Sequence, residues 1–138
     1  MDTNNSPLKG GKVFDPGPLL EMSKVSPAVR NTLLELIGNI VDHAPVQLRD
    51  ARQAWDQGQG EEAAKVLHTM RGTVGTLGAT RFAAAARELE SALRAGNRGL
   101  VAELFHATER ELAETVAAAK AMLVQETGAA SPDAAAPE

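Results

Sequence analysis

The chain has no cysteine and no tyrosine, and its aromatic residues are one tryptophan and three phenylalanines in 138 positions. Without cysteine there is no disulfide framework and no thiolate metal site, which suits a reducing compartment, so a cytoplasmic location is expected. So few rings make a poor base-stacking platform, and a net charge of −4 makes a poor phosphate-tracking surface. Nucleic acid is therefore not an expected partner. No apolar run is long enough to span a bilayer, and the opening Met1-Asp2-Thr3-Asn4-Asn5-Ser6 lacks the basic and apolar regions of a signal peptide. The expectation is a soluble chain without membrane insertion. Period-two alternation is missing as well, so no β-strand is predicted anywhere.

What remains is helical. Hydrophobic residues make up 43% of the chain and charged residues 23%, a balance that fits one globular domain with a real core. Residues 1–12 are polar and carry Pro7, Gly10 and Gly11, whereas 127–138 are low in complexity and broken by proline; both ends read as disordered tails around a domain at 13–126. Asp15-Pro16 marks the start of a short helix through Leu19, Leu20 and Met22, and Ser26-Pro27 repeats the signal for a longer one. That longer helix carries an apolar stripe of Val29, Leu33, Leu36, Ile37, Ile40, Val41 and Ala44, continued by Val46, Leu48, Ala51 and Trp55. Pro45 lies between the two parts and predicts a kink. Gly58-Gln59-Gly60 ends the segment, and Glu61-Glu62 suits the first turn of the next helix, where negative charge meets the helix dipole. A further helix spans about Thr80 to Ala95 with Phe82, Ala86, Leu89 and Leu93 on its core face, closed by Gly96-Asn97. The last runs from about Arg98 to Glu126 and buries Val101, Leu104, Phe105, Thr108, Leu112, Val116, Ala119 and Leu123. The predicted fold is all-α: an up-and-down antiparallel four-helix bundle with a short extra N-terminal helix.

Chemistry concentrates in Leu67-His68-Thr69-Met70-Arg71-Gly72-Thr73-Val74-Gly75-Thr76-Leu77-Gly78-Ala79. On a wheel of ~100° per residue, Ala63, Val66, Leu67, Met70, Val74 and Leu77 form the apolar stripe, and His68 falls roughly 150° from its centre. Its neighbours on that outward face are Ala64, Gly72 and Gly75. Glycine inside a helix costs about 1 kcal/mol relative to alanine, so two of them need a reason, and a bare surface open to a docking partner supplies one. Close helix packing is the rival explanation, and a plain helix stop is the preferred one for Gly78. A neutral imidazole is a usable nucleophile if it is oriented. Glu90 on the following helix sits roughly 70° off the core axis, where a carboxylate can accept from Nδ1–H and leave Nε2 exposed. Arg71 follows His68 by one turn and Arg94 follows Glu90 by one turn, so two permanent cations stand ready to neutralise a phosphoryl group. On dipole grounds alone Arg94 is equally a solvated charge near a helix C-terminus. His43 and His106 read as helix-face residues. No histidine pair has i, i+4 spacing, so no metal site is predicted.

At His68-Thr69-Met70-Arg71-Gly72 and Leu77-Gly78-Ala79 the chain resembles the histidine-containing phosphotransfer (HPt) domain family, whose signature is a histidine, Thr or Ser, an apolar residue, Lys or Arg, Gly, small residues, then Leu-Gly-Ala. The likeness extends from about Phe14 to Leu123. It takes in Phe14-Asp15, the Leu89-Glu90 pair where the family has Glu or Gln, and Leu93-Arg94-Ala95-Gly96. The resemblance implies that His68 accepts a phosphoryl group on Nε2 from a receiver-domain aspartate and passes it to another, relaying it in a multistep two-component pathway. It further implies that Arg71 stabilises the phosphate, that Gly72 and Gly75 give the receiver room, and that Glu90 holds the ring. The Mg²⁺ for in-line transfer would come with the receiver, leaving this chain with no cofactor of its own. Two positions depart from the commoner pattern: Arg71 replaces lysine, which keeps the charge, and Thr76 replaces an asparagine often found near the loop. With no nucleotide-binding loop, autonomous kinase activity is not expected. The docking surface is expected to take in the exposed part of the first helix, the Ala64 to Gly75 face and Arg87. A monomer is expected, since a complete bundle buries its own core. Two other readings stay open: an HPt-like interaction domain that is never phosphorylated, and the histidine domain of a chemotaxis-type kinase. Whether the chain stands alone or ends a hybrid kinase is equally open.

Overall fold

The computed structural model describes residues 11–18, 21 and 26–127. Four helices follow one another: α1 (Pro27–Asp56), α2 (Gly60–Gly75), α3 (Thr80–Ala95) and α4 (Arg98–Thr127). Of the short first helix, residues 17, 18 and 21 are helical, while Leu19, Leu20 and Met22 lie outside the described residues. The loops between the long helices are too short to reach across a bundle, so each helix returns beside its predecessor. Each packs against its neighbours in sequence, and α1 meets α4 to close the ring. This is the up-and-down four-helix bundle.

Local chemistry sets the ends of the helices. The Ser26 side chain accepts from the Val29 N–H at 3.1 Å and Pro27 opens α1, an N-cap followed by a residue whose missing N–H costs nothing there. Pro45 stands inside α1 with its ring exposed, and the helix is not divided by it. Glu61 and Glu62 occupy the first turn of α2, which has no side-chain cap. At the end of α3, Gly96 adopts φ +73° and the Asn97 N–H reaches back to the Ala92 carbonyl at 3.2 Å, a left-handed cap that satisfies orphan carbonyls. Asn97 then accepts from the Leu100 N–H at 3.2 Å, so one residue ends α3 and starts α4.

The core is narrower than the apolar stripes predicted. The buried positions of α1 are Leu34, Ile37, Val41, Ala44, Leu48 and Ala51, and those of α4 include Val101, Phe105, Thr108, Leu112, Thr115 and Ala119. Both sets alternate steps of three and four, the 3.5-residue repeat of a seam between near-parallel helices. Two predicted core residues are consequently exposed, Leu36 at 42% and Val46 at 41%. Leu34 and Thr115, which the stripes omitted, take seam positions.

The chain before α1 forms a strap across the α2–α3 turn. The Lys12 N–H donates to Thr80 Oγ1 at 2.6 Å, and the Lys12 carbonyl accepts from the Arg81 N–H at 2.9 Å. Thr115 Oγ1 donates to the Val13 carbonyl at 2.9 Å, and the Asp15 N–H donates to the Leu77 carbonyl at 2.8 Å. The Lys12 ammonium, hydrogen-bonded to Asp15, holds that carboxyl below its ordinary pKa, and the Gly17 N–H adds to the effect. Gly78 lies beneath the strap at φ +73°, where a Cβ atom would stand 2.4 Å from the Asp15 carbonyl oxygen. It is thus more than a helix stop: the turn needs both its left-handed backbone and its missing side chain.

Candidate functional site

The α2–α3 hairpin places His68, Arg71, Glu90 and Arg94 together. The His68 side chain is 62% exposed, whereas the Glu90 side chain, facing it from α3, is only 9% exposed. His68 Nδ1 lies 3.2 Å from Glu90 Oε2. Arg94, one turn along α3, donates from Nη1 to that same oxygen at 2.6 Å, and its Nε reaches Glu61 at the start of α2 at 3.3 Å. Arg71 sets its Nε 3.6 Å from Glu90 Oε1, which accepts no hydrogen bond in this arrangement. Burying a carboxylate without partners is expensive, and here one imidazole and two guanidiniums offset that cost. The hydrogen bond to Glu90 raises the pKa of Arg94 above its ordinary value, opposed by desolvation and reinforced by Glu61.

The tautomer follows from these contacts. Arg71 Nη2 also lies 3.3 Å from His68 Nδ1, yet one nitrogen cannot both donate to Glu90 and accept from Arg71. The contact with a nearly buried carboxylate favours Nδ1–H, which leaves the Nε2 lone pair facing solvent. The result is a fixed ring with an open nucleophilic nitrogen, with the Arg71 guanidinium at the Nδ1 side.

A model of the Hpt domain family matches residues 35–122. The chain belongs to that family. No curated protein and no solved structure matches this chain. Hpt domains are the histidine phosphotransfer modules of two-component phosphorelays, and they interact with receiver domains of response regulators. The match covers the whole of α2 and α3, and so all four side chains gathered at His68.

The residues expected around the Hpt histidine divide into two groups. Gly72 is exposed and Gly75 half-buried, and a Cβ atom on either would meet nothing within 4 Å. Close helix packing within the described residues therefore does not explain them. Ala64 corrects the prediction: it is fully buried in the core rather than beside His68 on the outward face. Helix α2 packs against both α1 and α3, so its covered arc is wider than a single stripe, and a methyl group one turn before His68 falls within it. Sequence reasoning included Arg87 but missed Ala83 and Ala84 beside it on the far wall of the site. An open groove of about 610 Å³ runs beside His68, bordered by Arg71 and Gly72 on α2 and by Ala83, Ala84 and Arg87 on α3. The signal was available in the small residues at i and i+1 one turn before Arg87. Elsewhere, His43 and His106 lie on exposed helix faces, with His43 Nδ1 2.7 Å from the Asn39 carbonyl. Among the described residues no helix is long and apolar enough to cross a membrane.

Proposed function

We propose that this Hpt domain carries a phosphoryl group on His68 Nε2 between receiver-domain aspartates, with Glu90 fixing the ring and Arg71 and Arg94 balancing charge. The observation that carries the proposal is the His68–Glu90 contact at 3.2 Å between an exposed imidazole and a nearly buried carboxylate. In transfer, Nε2 attacks the phosphorus of the receiver's aspartyl phosphate as the bond to the aspartate oxygen breaks. The carboxylate leaves with its electron pair, and Mg²⁺ bound by the receiver would supply charge neutralisation for the phosphoryl oxygens. Nδ1–H donates to Glu90 throughout, so the positive charge that develops on the ring meets a negative partner. Arg71 lies one turn from His68 and can turn its guanidinium toward the phosphoryl oxygens. Such a relay operates where phosphorylated receivers are made, in the cytoplasm, and a monomer suffices for it.

Mixing the protein with a phosphorylated receiver domain and Mg²⁺ tests the reading. Intact mass should show one phosphoryl adduct that survives alkali and is lost in acid, the behaviour of a phosphoramidate. Absence of any adduct from a panel of receivers, with the helical fold intact, would favour a docking module that is never phosphorylated. Efficient phosphorylation by an isolated ATP-binding kinase domain and by no receiver would instead point to the histidine domain of a chemotaxis-type kinase.

Substitutions at two positions, Glu90 and Gly72, separate orientation from access. Glu90→Gln keeps the shape and an acceptor oxygen but removes the charge, and a fall in transfer rate of roughly tenfold is expected. Glu90→Ala should cost more rate and also stability, about 1–3 kcal/mol, because Arg94 and Arg71 lose their shared partner. Stopped-flow transfer and chemical denaturation measure the two effects; a wild-type rate for Glu90→Ala would refute the orienting role. Gly72→Gln should leave the fold unchanged or slightly firmer, since its Cβ meets open space and glycine is the weaker helix former. Its side chain would obstruct the receiver, and transfer should slow by more than tenfold through a raised KM.

A further inference from the structure

Five of the nine arginines in the described residues are neutralised by carboxylates of this chain. Arg30 pairs with Glu126, Arg52 with Glu109, Arg71 and Arg94 with Glu90, and Arg81 with Glu111. Arg87 differs. It is exposed, it borders the groove beside His68, and it has neither an ion pair nor a hydrogen bond among the described residues. Helical spacing explains why. The positions one turn away are Ala83, Ala84, Glu90 and Ser91, and Glu90 turns inward to His68 and Arg94. No other carboxylate is within reach at i±3 or i±4.

The groove is lined on one wall by His68, Arg71 and Gly72 and on the other by Ala83, Ala84 and Arg87, with no acidic side chain among them. On the far side of α3, Arg87 also borders a second open groove that ends at Leu100, an exposed apolar side chain at the start of α4. With alanines at i−4 and i−3 and no ion pair among the described residues, Arg87 presents its charge to the groove beside His68, whereas the second groove also carries Glu88. Arg71 shares its charge with Glu90.

Resting on the phosphotransfer reading, we infer that Arg87 is a specificity residue: it recognises an acidic side chain on the rim of the receiver, beside the aspartate that exchanges the phosphoryl group. It acts on encounter and affinity. The chemical step is untouched, because nothing ties Arg87 to His68 or Glu90. A rim charge of this kind steers association, and its influence fades with added salt. It also discriminates among receivers, favouring those whose rim is acidic and rejecting those whose rim is basic.

The test compares wild type with Arg87→Ala, Arg87→Lys and Arg87→Glu, using the tightest binder from a panel of receiver domains activated with beryllofluoride. In low salt, Arg87→Glu should weaken binding and kcat/KM by about tenfold or more and Arg87→Ala by about threefold, while Arg87→Lys retains most of the affinity. At saturating receiver the transfer rate should stay within about twofold of wild type, and the salt dependence of binding should be shallower in Arg87→Ala. Wild-type affinity for Arg87→Glu in low salt, or a loss confined to the saturated rate, would overturn the assignment. Receivers that bind without any phosphoryl group moving would defeat the phosphotransfer reading alone, and the Arg87→Glu titration would still decide. If no receiver binds wild type, the partner class is wrong and the role of Arg87 falls with it.

Discussion

His68→Gln is expected to abolish the phosphoryl adduct while leaving the bundle intact. The outcome follows from the proposed role of His68 as the nucleophile. An amide nitrogen has its lone pair delocalised into the carbonyl and cannot attack phosphorus, so no replacement nucleophile is introduced. The two other histidines lie outside the contact network that fixes His68, since neither His43 nor His106 meets Glu90 or Arg71. Stability should change by no more than about 0.5 kcal/mol, because the His68 side chain is mostly in solvent. Removing it also strands no buried charge: Glu90 keeps its 2.6 Å hydrogen bond from Arg94 and the neighbouring guanidinium of Arg71. Intact mass after incubation with a phosphorylated receiver, paired with thermal unfolding, checks both halves. An acid-labile adduct persisting in His68→Gln would sink the assignment of the phosphorylated residue.

Much of this site could be read from the chain before any coordinates, and the reason is that its parts are local. His68 and Arg71 are one turn apart, as are Glu90 and Arg94, and the α2–α3 turn is short enough that the two pairs must face each other. Ser26-Pro27 and Gly96-Asn97 marked helix ends correctly because capping depends on the residues at the cap and little else. What could not be read depends on neighbours distant in sequence. Ala64 was placed on the outward face by a single-stripe wheel, whereas two flanking helices widen the covered arc. Leu36 and Val46 went into the core because an isolated amphipathic helix allows a broad apolar face, and a 3.5-residue seam leaves them outside. Arg94 was undecided between phosphate partner and solvated charge. Its attachment to both Glu90 and Glu61 joins α3 to the start of α2, a closure that no spacing rule on one helix reveals.

Gly78→Ala is expected to destabilise the fold by about 3 kcal/mol, more than any other single methyl group added to a glycine of the bundle. Two costs combine. An alanine held at φ +73° occupies the left-handed region at a cost of roughly 1–2 kcal/mol. Its Cβ would also stand 2.4 Å from the Asp15 carbonyl oxygen, 2.6 Å from the Asp15 Cβ and 2.8 Å from the Asp15 nitrogen. None of these atoms can rotate aside, so the strap itself must lift and release the Asp15 N–H from the Leu77 carbonyl. Gly96→Ala is the control. It carries the same φ of +73° but its Cβ would meet nothing within 4 Å, so only the backbone cost, about 1 kcal/mol, applies. Denaturant unfolding of the two variants isolates the strap contact as the difference between them. Equal losses would mean that the strap yields without resistance. A larger loss in Gly78→Ala would establish that the segment before α1 clamps the turn joining the His68 helix to the Glu90 helix. In that case transfer should also slow in Gly78→Ala under conditions where the protein remains folded, because a shifted turn moves Glu90 relative to the imidazole it orients, whereas Gly96→Ala should transfer at the wild-type rate.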